Sequence, residues 1–238
     1  MYADQSYHQT ESGQFVYAKS NYRSNFVFKV FSIVAAQLIL TSAIVAACRS
    51  FVALGEWAEI LSPMWIIGLI VTAVLLNYSR DLARNVPVNY ILLSIYTICE
   101  AFLLHFSVKG ASLNLIMNAM LLTGAAVEIA GIISYKSKLD LTNSKFILYC
   151  VSVHLIVNLI FALFIGYSII YVYFSTLIIL AYLIFDLQII LGSREKALGI
   201  DEYIWAAVNL YSDIVLLFIK LVQILKNLEE KDKKKKRN

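Results

Sequence analysis

Charge is what this sequence lacks most. Of its 238 residues, 15% are Asp, Glu, Lys or Arg, 60% are hydrophobic, and the mean hydropathy is +0.74. So few polar side chains cannot cover that much apolar surface in water, which excludes a soluble domain. Glycine (9) and proline (2) are also scarce. Their scarcity excludes a membrane β-barrel, which needs many turns and alternating segments where this chain has continuous apolar runs. The three cysteines, Cys48, Cys99 and Cys150, lie in or beside those runs without metal-ligand spacing or a disulfide framework, and read as small buried hydrophobes. The polar, tyrosine-rich start has neither the basic residues nor the short apolar core of a cleaved signal. Targeting is therefore expected from the first membrane helix.

What is present is a series of runs near the roughly 20 apolar residues that a spanning helix needs. They cover 27–48, 64–78 after Pro63, 87–108 from Pro87, and 113–134. The stretch 146–191 is too long for one span and divides near Gly166 and Ser168; a last helix covers 202–225. The expected fold is all-α: a polytopic membrane protein with seven transmembrane helices. The expected organisation is a polar cytosolic segment 1–26, a transmembrane domain 27–225 and a polybasic tail 226–238.

Basic residues in short loops set orientation. With a cytosolic N-terminus, Lys19, Arg23, Arg80, Arg84, Lys136, Lys138, Lys145, Arg194 and Lys196 lie inside, against Arg49 and Lys109 outside. Seven full crossings then put the basic tail outside, against the same rule. Charge alone favours a cytosolic tail beside anionic lipid, with the last helix not crossing fully.

A charge in hydrocarbon demands a partner, water or neutralisation. Glu100, Glu128, Asp186, Asp213 and Lys220 fall in the apolar runs. On the last helix, Glu202, Trp205, Asn209, Ser212, Asp213, Lys220, Gln223 and Asn227 share one face at helical spacing. Such a stripe faces protein or water, as a cavity lining or as helix–helix glue. Asp186 lies roughly 7 Å from the end shared with the last helix and Asp213 roughly 15 Å, so tilt or packing must close the gap if they pair. Paired in a dry site, they resist being ionised together and one keeps its proton; losing it leaves a cation-attracting site. The alternative is that each aspartate meets an arginine or an amide separately. Arg84 and Arg80 are the available counter-charges, able to hold a closed state or merely to anchor a helix end. Lys220 is expected to snorkel toward an interface, and His105 and His154 read as helix–helix contacts.

Five blocks together resemble the transmembrane Bax inhibitor motif family, in its lifeguard and Golgi anti-apoptotic branch. They are YRSNFVFKVFSIVAAQLILT, NVPVNYILLSIYTICEAF, YKSKLDLT, LIFDLQIILG and DEYIWAAVNLYSDIVLLFIKLVQIL, spread over most of residues 22–226. The ordered pair formed by the last two blocks is the specific part. The resemblance implies a seven-helix bundle with the last helix central, and a pH-sensitive calcium leak of intracellular membranes that suppresses apoptosis. It also implies Asp186 and Asp213 as the pH-sensing pair, with calcium near them, and a helix-2 arginine in gating, for which Arg84, nearer Pro87, competes with Arg80. Glu202, Glu100, Asn209 and Lys220 are secondary candidates for the ion path, whereas Glu128 stands where relatives are apolar.

The leading expectation is thus a calcium-permeable leak of the endoplasmic reticulum or Golgi, with the plasma membrane as an alternative site. Its expected partners are the bilayer, calcium, protons and apoptosis-regulating membrane proteins; no enzyme activity, cofactor or nucleic acid is expected. A non-transporting regulator acting through protein partners is the competing class. An intramembrane aspartyl protease would carry GxGD at its second aspartate where this chain has LYSDIV. A seven-helix receptor would show large loops, an extracellular disulfide pair and a DRY-like helix end.

Overall fold

A computed structural model describes residues 4–136, 169–192, 198–199 and 201–237. Among these are eight helices and no strand: α1 (Asp4–Ser50), α2 (Val52–Ile60), α3 (Ser62–Tyr78), α4 (Arg80–Arg84), α5 (Val88–Val108), α6 (Leu113–Lys136), α7 (Ile169–Leu191) and α8 (Tyr203–Arg237). Five contain stretches long and apolar enough to cross a bilayer: Arg23–Ser50, Val88–Val108, Leu113–Lys136, Ile169–Leu191 and Tyr203–Lys236. The pair α2 and α3, bent by 66°, makes a sixth when taken as one span. The helix expected from 146 to the Gly166 break, with Cys150 and His154, lies outside the described residues, so the count among them is five or six.

Local chemistry explains most boundaries. Pro63 sits in the first turn of α3, where its missing N–H costs nothing. The sequence reading missed α2 because its VALGEWAEI run holds two glutamates and is too short to register as a span. Between Tyr203 and Arg237 there is neither glycine nor proline, so nothing stops α8 at the membrane edge and the helix continues through the basic tail.

Two sets of contacts mark the ends of the bundle. At one, Arg23 donates to the carbonyls of Ile189 and Leu198, and Arg84 pairs with Asp201 and Glu202; this is the Arg84 face. At the other, the Arg49 face, Lys226 Nζ donates to the carbonyls of Ser107 and Lys109 at 3.3 and 3.0 Å, and Lys109 pairs with Glu59. α8 therefore runs from one face to the other. The expectation that it stops short and returns the tail to the side where it began is overturned, because an unbroken helix carries Lys226 to the far end of α5.

α8 packs against α1, α3, α4, α5, α6 and α7. Ile204, Ala206, Ala207, Val208, Leu210 and Tyr211 are all buried, which only a helix enclosed from several sides can achieve. Its alanines let neighbouring backbones approach closely. On α1, Phe26, Val30, Val34, Gln37 and Thr41 form the buried stripe, while Phe28 and Ile39 on the other side are exposed. Apolar side chains on the outside and hydrogen-bonding ones within match a bundle whose solvent is lipid.

Candidate functional site

Asp186 belongs to the last turns of α7, whose end is fixed from two directions. Gly192 adopts φ +66° and its N–H donates to the Ile189 carbonyl at 3.2 Å, a left-handed glycine closure. The Arg23 guanidinium lies over the same glycine, where an added Cβ would collide with it. A cation against carbonyls at a helix C-terminus also meets the negative end of the helix dipole. Asp186 thus sits on a pinned helix end.

Asp213 lies on α8, the helix against which α7 packs. The Asp213 Oδ2 atom is enclosed and has no hydrogen-bond partner among the described residues. The levels estimated from sequence differ by about a turn and a half, on two helices that pack against each other.

A layer of buried hydroxyls surrounds this pair on the α1 and α5 side. Tyr96 OH and Ser212 Oγ are 2.6 Å apart, Thr41 Oγ1 and Tyr211 OH 2.7 Å, and Gln37 Nε2 donates to Thr97 Oγ1 at 2.9 Å. The Tyr96 and Tyr211 rings meet edge to face, with centroids 6.2 Å apart. Glu100 is buried one turn beyond Tyr96. Reading only ionisable residues missed Gln37, Thr41, Tyr96 and Tyr211. The available signal was polar side chains four apart on apolar helices, at 37 and 41 and at 96 and 100.

The polar stripe of α8 exists, but it is the less packed side of the helix. Trp205, Asn209, Ser212, Asp213, Lys220 and Asn227 are half-buried and Gln223 is exposed, while the opposite side is closed by Ile204, Val208, Tyr211, Val215 and Val222. Asn209 Nδ2, Asp213 Oδ2 and Asn227 Oδ1 are enclosed without partners among the described residues. Buried polar atoms left unmet by protein call for water or an ion. From Asn209 to Asn227 the stripe climbs roughly 27 Å, nearly the hydrocarbon thickness of about 30 Å.

The remaining candidates fall in different places. Arg84 does not reach the aspartate pair. Its Nε lies 2.8 Å from Asp201 and its Nη2 3.1 Å from Glu202, because α4 ends beside the start of α8 and Asp213 lies roughly 15 Å deeper. Arg80 starts α4, but its side chain lies outside what is described. Glu202 also accepts from the Gly199 N–H at 3.0 Å. Lys220 lies 5.0 Å above the Tyr171 ring, a cation–π contact rather than simple snorkelling. His105 is buried, with Nδ1 unpartnered among the described residues, and Cys48 and Cys99 are buried free thiols. Glu128 is exposed on α6, away from the pair. Among the described residues no three His, Cys, Asp or Glu side chains converge as a metal site.

Fold and site define a class: an integral membrane protein of apolar helices whose last helix is held inside the bundle and carries a buried acidic centre. A family profile described as "Inhibitor of apoptosis-promoting Bax1" matches residues 23–230. Protein LIFEGUARD 4 of Arabidopsis thaliana is 29% identical over 217 residues, covering 87% of this chain and 86% of the relative. Protein lifeguard 3 of Mus musculus is 24% identical over 213 residues, covering 85% and 69%. The Homo sapiens protein of the same name is 24% identical over 216 residues, covering 85% and 68%. The chain belongs to the Bax inhibitor family, in its lifeguard branch.

Proposed function

We propose that this protein is a pH-sensitive calcium leak of an intracellular membrane, endoplasmic reticulum or Golgi, that restrains apoptosis. Asp186 and Asp213 act as its proton-operated gate. In a dry site two like charges side by side are costly, so one proton stays with the pair. Its loss as pH rises leaves two anionic carboxylates, hard oxygen ligands of the kind calcium prefers. The pair then carries two negative charges in place of one and attracts a divalent cation more strongly.

The observation that carries this reading is the placement of Asp213. It lies on the helix against which α7, carrying Asp186, packs, and its Oδ2 is enclosed without a partner among the described residues. The unmet polar atoms of Asn209 and Asn227 on the same stripe support a hydrated path along α8. Asp201 and Glu202 supply negative charge at its mouth on the Arg84 face, where Arg84 ties them to α4. Glu100 adds charge behind the gate, and Lys220 stands as a cationic barrier toward the Arg49 face.

The family description favours a second reading, because it refers to a protein, Bax, rather than an ion: a regulator that transports nothing and acts through membrane partners. Purified protein in otherwise empty vesicles, loaded with a calcium indicator and assayed across a pH series, separates the two. Calcium entry that grows as pH rises supports the leak. Vesicles as tight as protein-free ones at every pH reject it in favour of the regulator.

A further inference from the structure

A second feature lies away from the aspartates, on the flank where α1, α5, α6 and α8 meet. It is an elongated apolar cavity of about 550 Å³, running from Arg49 and Leu113 at the Arg49 face down to Leu38 and Glu128. From Arg49 to Leu38 is eleven residues of α1, roughly 16 Å. That is close to the ~15 Å depth of one leaflet's hydrocarbon, half of a core about 30 Å thick. Glu128 lies fifteen residues along α6 from Leu113, roughly 22 Å from the mouth.

The mouth is cationic. Arg49 donates to the carbonyls of Val108 and Ala111 at 3.3 and 3.2 Å, and Lys226 to those of Ser107 and Lys109. Both cations therefore converge on the end of α5. Neither has a carboxylate partner among the described residues, whereas neighbouring Lys109 is already paired with Glu59. The backbone carbonyls orient the two side chains without cancelling their charge. An apolar slot lined at one end by Arg49, with Lys226 held on the same end of α5, suits an amphiphile with an anionic head and a hydrocarbon tail.

We infer that this cavity is a binding site for an anionic phospholipid of the leaflet on the Arg49 face. Its phosphate sits between Arg49 and Lys226, and one acyl chain fills the slot between α1 and α6.

The test is lipid retention by the full-length protein in mild detergent, read by native mass spectrometry. Phosphatidylglycerol, phosphatidylcholine and inorganic phosphate are titrated separately. Two variants separate head from tail: Arg49→Gln with Lys226→Gln, and Gly124→Phe, which fills the slot at a lining glycine where an added Cβ meets nothing within 4 Å. Removing a cation is expected to weaken phosphatidylglycerol about five-fold, and removing both about thirty-fold. Gly124→Phe is expected to abolish the tightly held lipid while the protein's thermal midpoint stays within a few degrees. Equal retention of phosphatidylcholine, displacement by inorganic phosphate alone, or full retention in Gly124→Phe would each overturn the assignment.

Discussion

Arg84→Gln cuts the tie between α4 and the start of α8 without changing the size of the side chain much. The guanidinium holds Asp201 at 2.8 Å and Glu202 at 3.1 Å, and the three side chains remain 39%, 56% and 24% exposed. Exposed ion pairs contribute about 0.2–1 kcal/mol each after solvent screening. Two pairs sharing one guanidinium therefore sum to about 1 kcal/mol. Glu202 keeps its bond from the Gly199 N–H, so the α8 entrance does not unravel. If the tie belongs to the closed state alone, losing about 1 kcal/mol shifts the closed-to-open ratio about five-fold. The assay is calcium efflux from proteoliposomes at acidic pH, where the leak is smallest: the variant leaks about five times faster. Salt supplies an internal control. Raising ionic strength from 0.1 to 1 M shortens the screening length from about 10 to about 3 Å, which speeds the wild type toward Arg84→Gln and leaves the variant unchanged. A fall in thermal midpoint with no change in leak would show a purely structural bond and refute the reasoning.

Three further outcomes follow from the contacts around the gate. Tyr211→Phe costs about 1 kcal/mol, because Thr41 keeps its bond to the Gln37 carbonyl at 2.8 Å. Thr41→Val costs more, about 1–3 kcal/mol, because it strands the buried Tyr211 hydroxyl, and the double variant loses less than the sum. Unfolding of the detergent-solubilised protein checks the order of the two single variants. Gly192→Ala loses about 1–2 kcal/mol from its positive φ and displaces Arg23 as well. In the same assay, Gly192→Ala combined with Arg23→Gln loses less than the two single losses added.

How far the fold was legible depended on how strong each signal is against the background of lipid-facing leucine and isoleucine. Long apolar runs placed α1, α3, α5, α6 and α7 to within a few residues, except at the start of α1, because hydrophobic length is itself the folding signal in a bilayer. The nine-residue α2 and the early start of α1 were invisible, since short or polar helices carry no such excess. Asp186 and Asp213 stood out because a carboxylate in an apolar run is costly. Whether they pair was not legible, because sequence gives depth along a helix but not the packing that brings two depths together. Arg23 was read only as an orientation charge, yet it caps α7; that role needs Ile189, Leu198 and Gly192 in one place. The tail misled for a physical reason: charge rules describe insertion, while helix continuity from Tyr203 to Arg237 decides where the tail emerges.

The most direct measurement is a double-mutant cycle on the pH profile of calcium efflux, comparing the wild type, Asp186→Asn, Asp213→Asn and the variant carrying both in the same vesicles. If the two carboxyl groups share one proton, either substitution abolishes the rise of efflux with pH and the second adds nothing. Single variants that each keep a pH-dependent leak, with losses that add in the double, would mean that the two acids act separately.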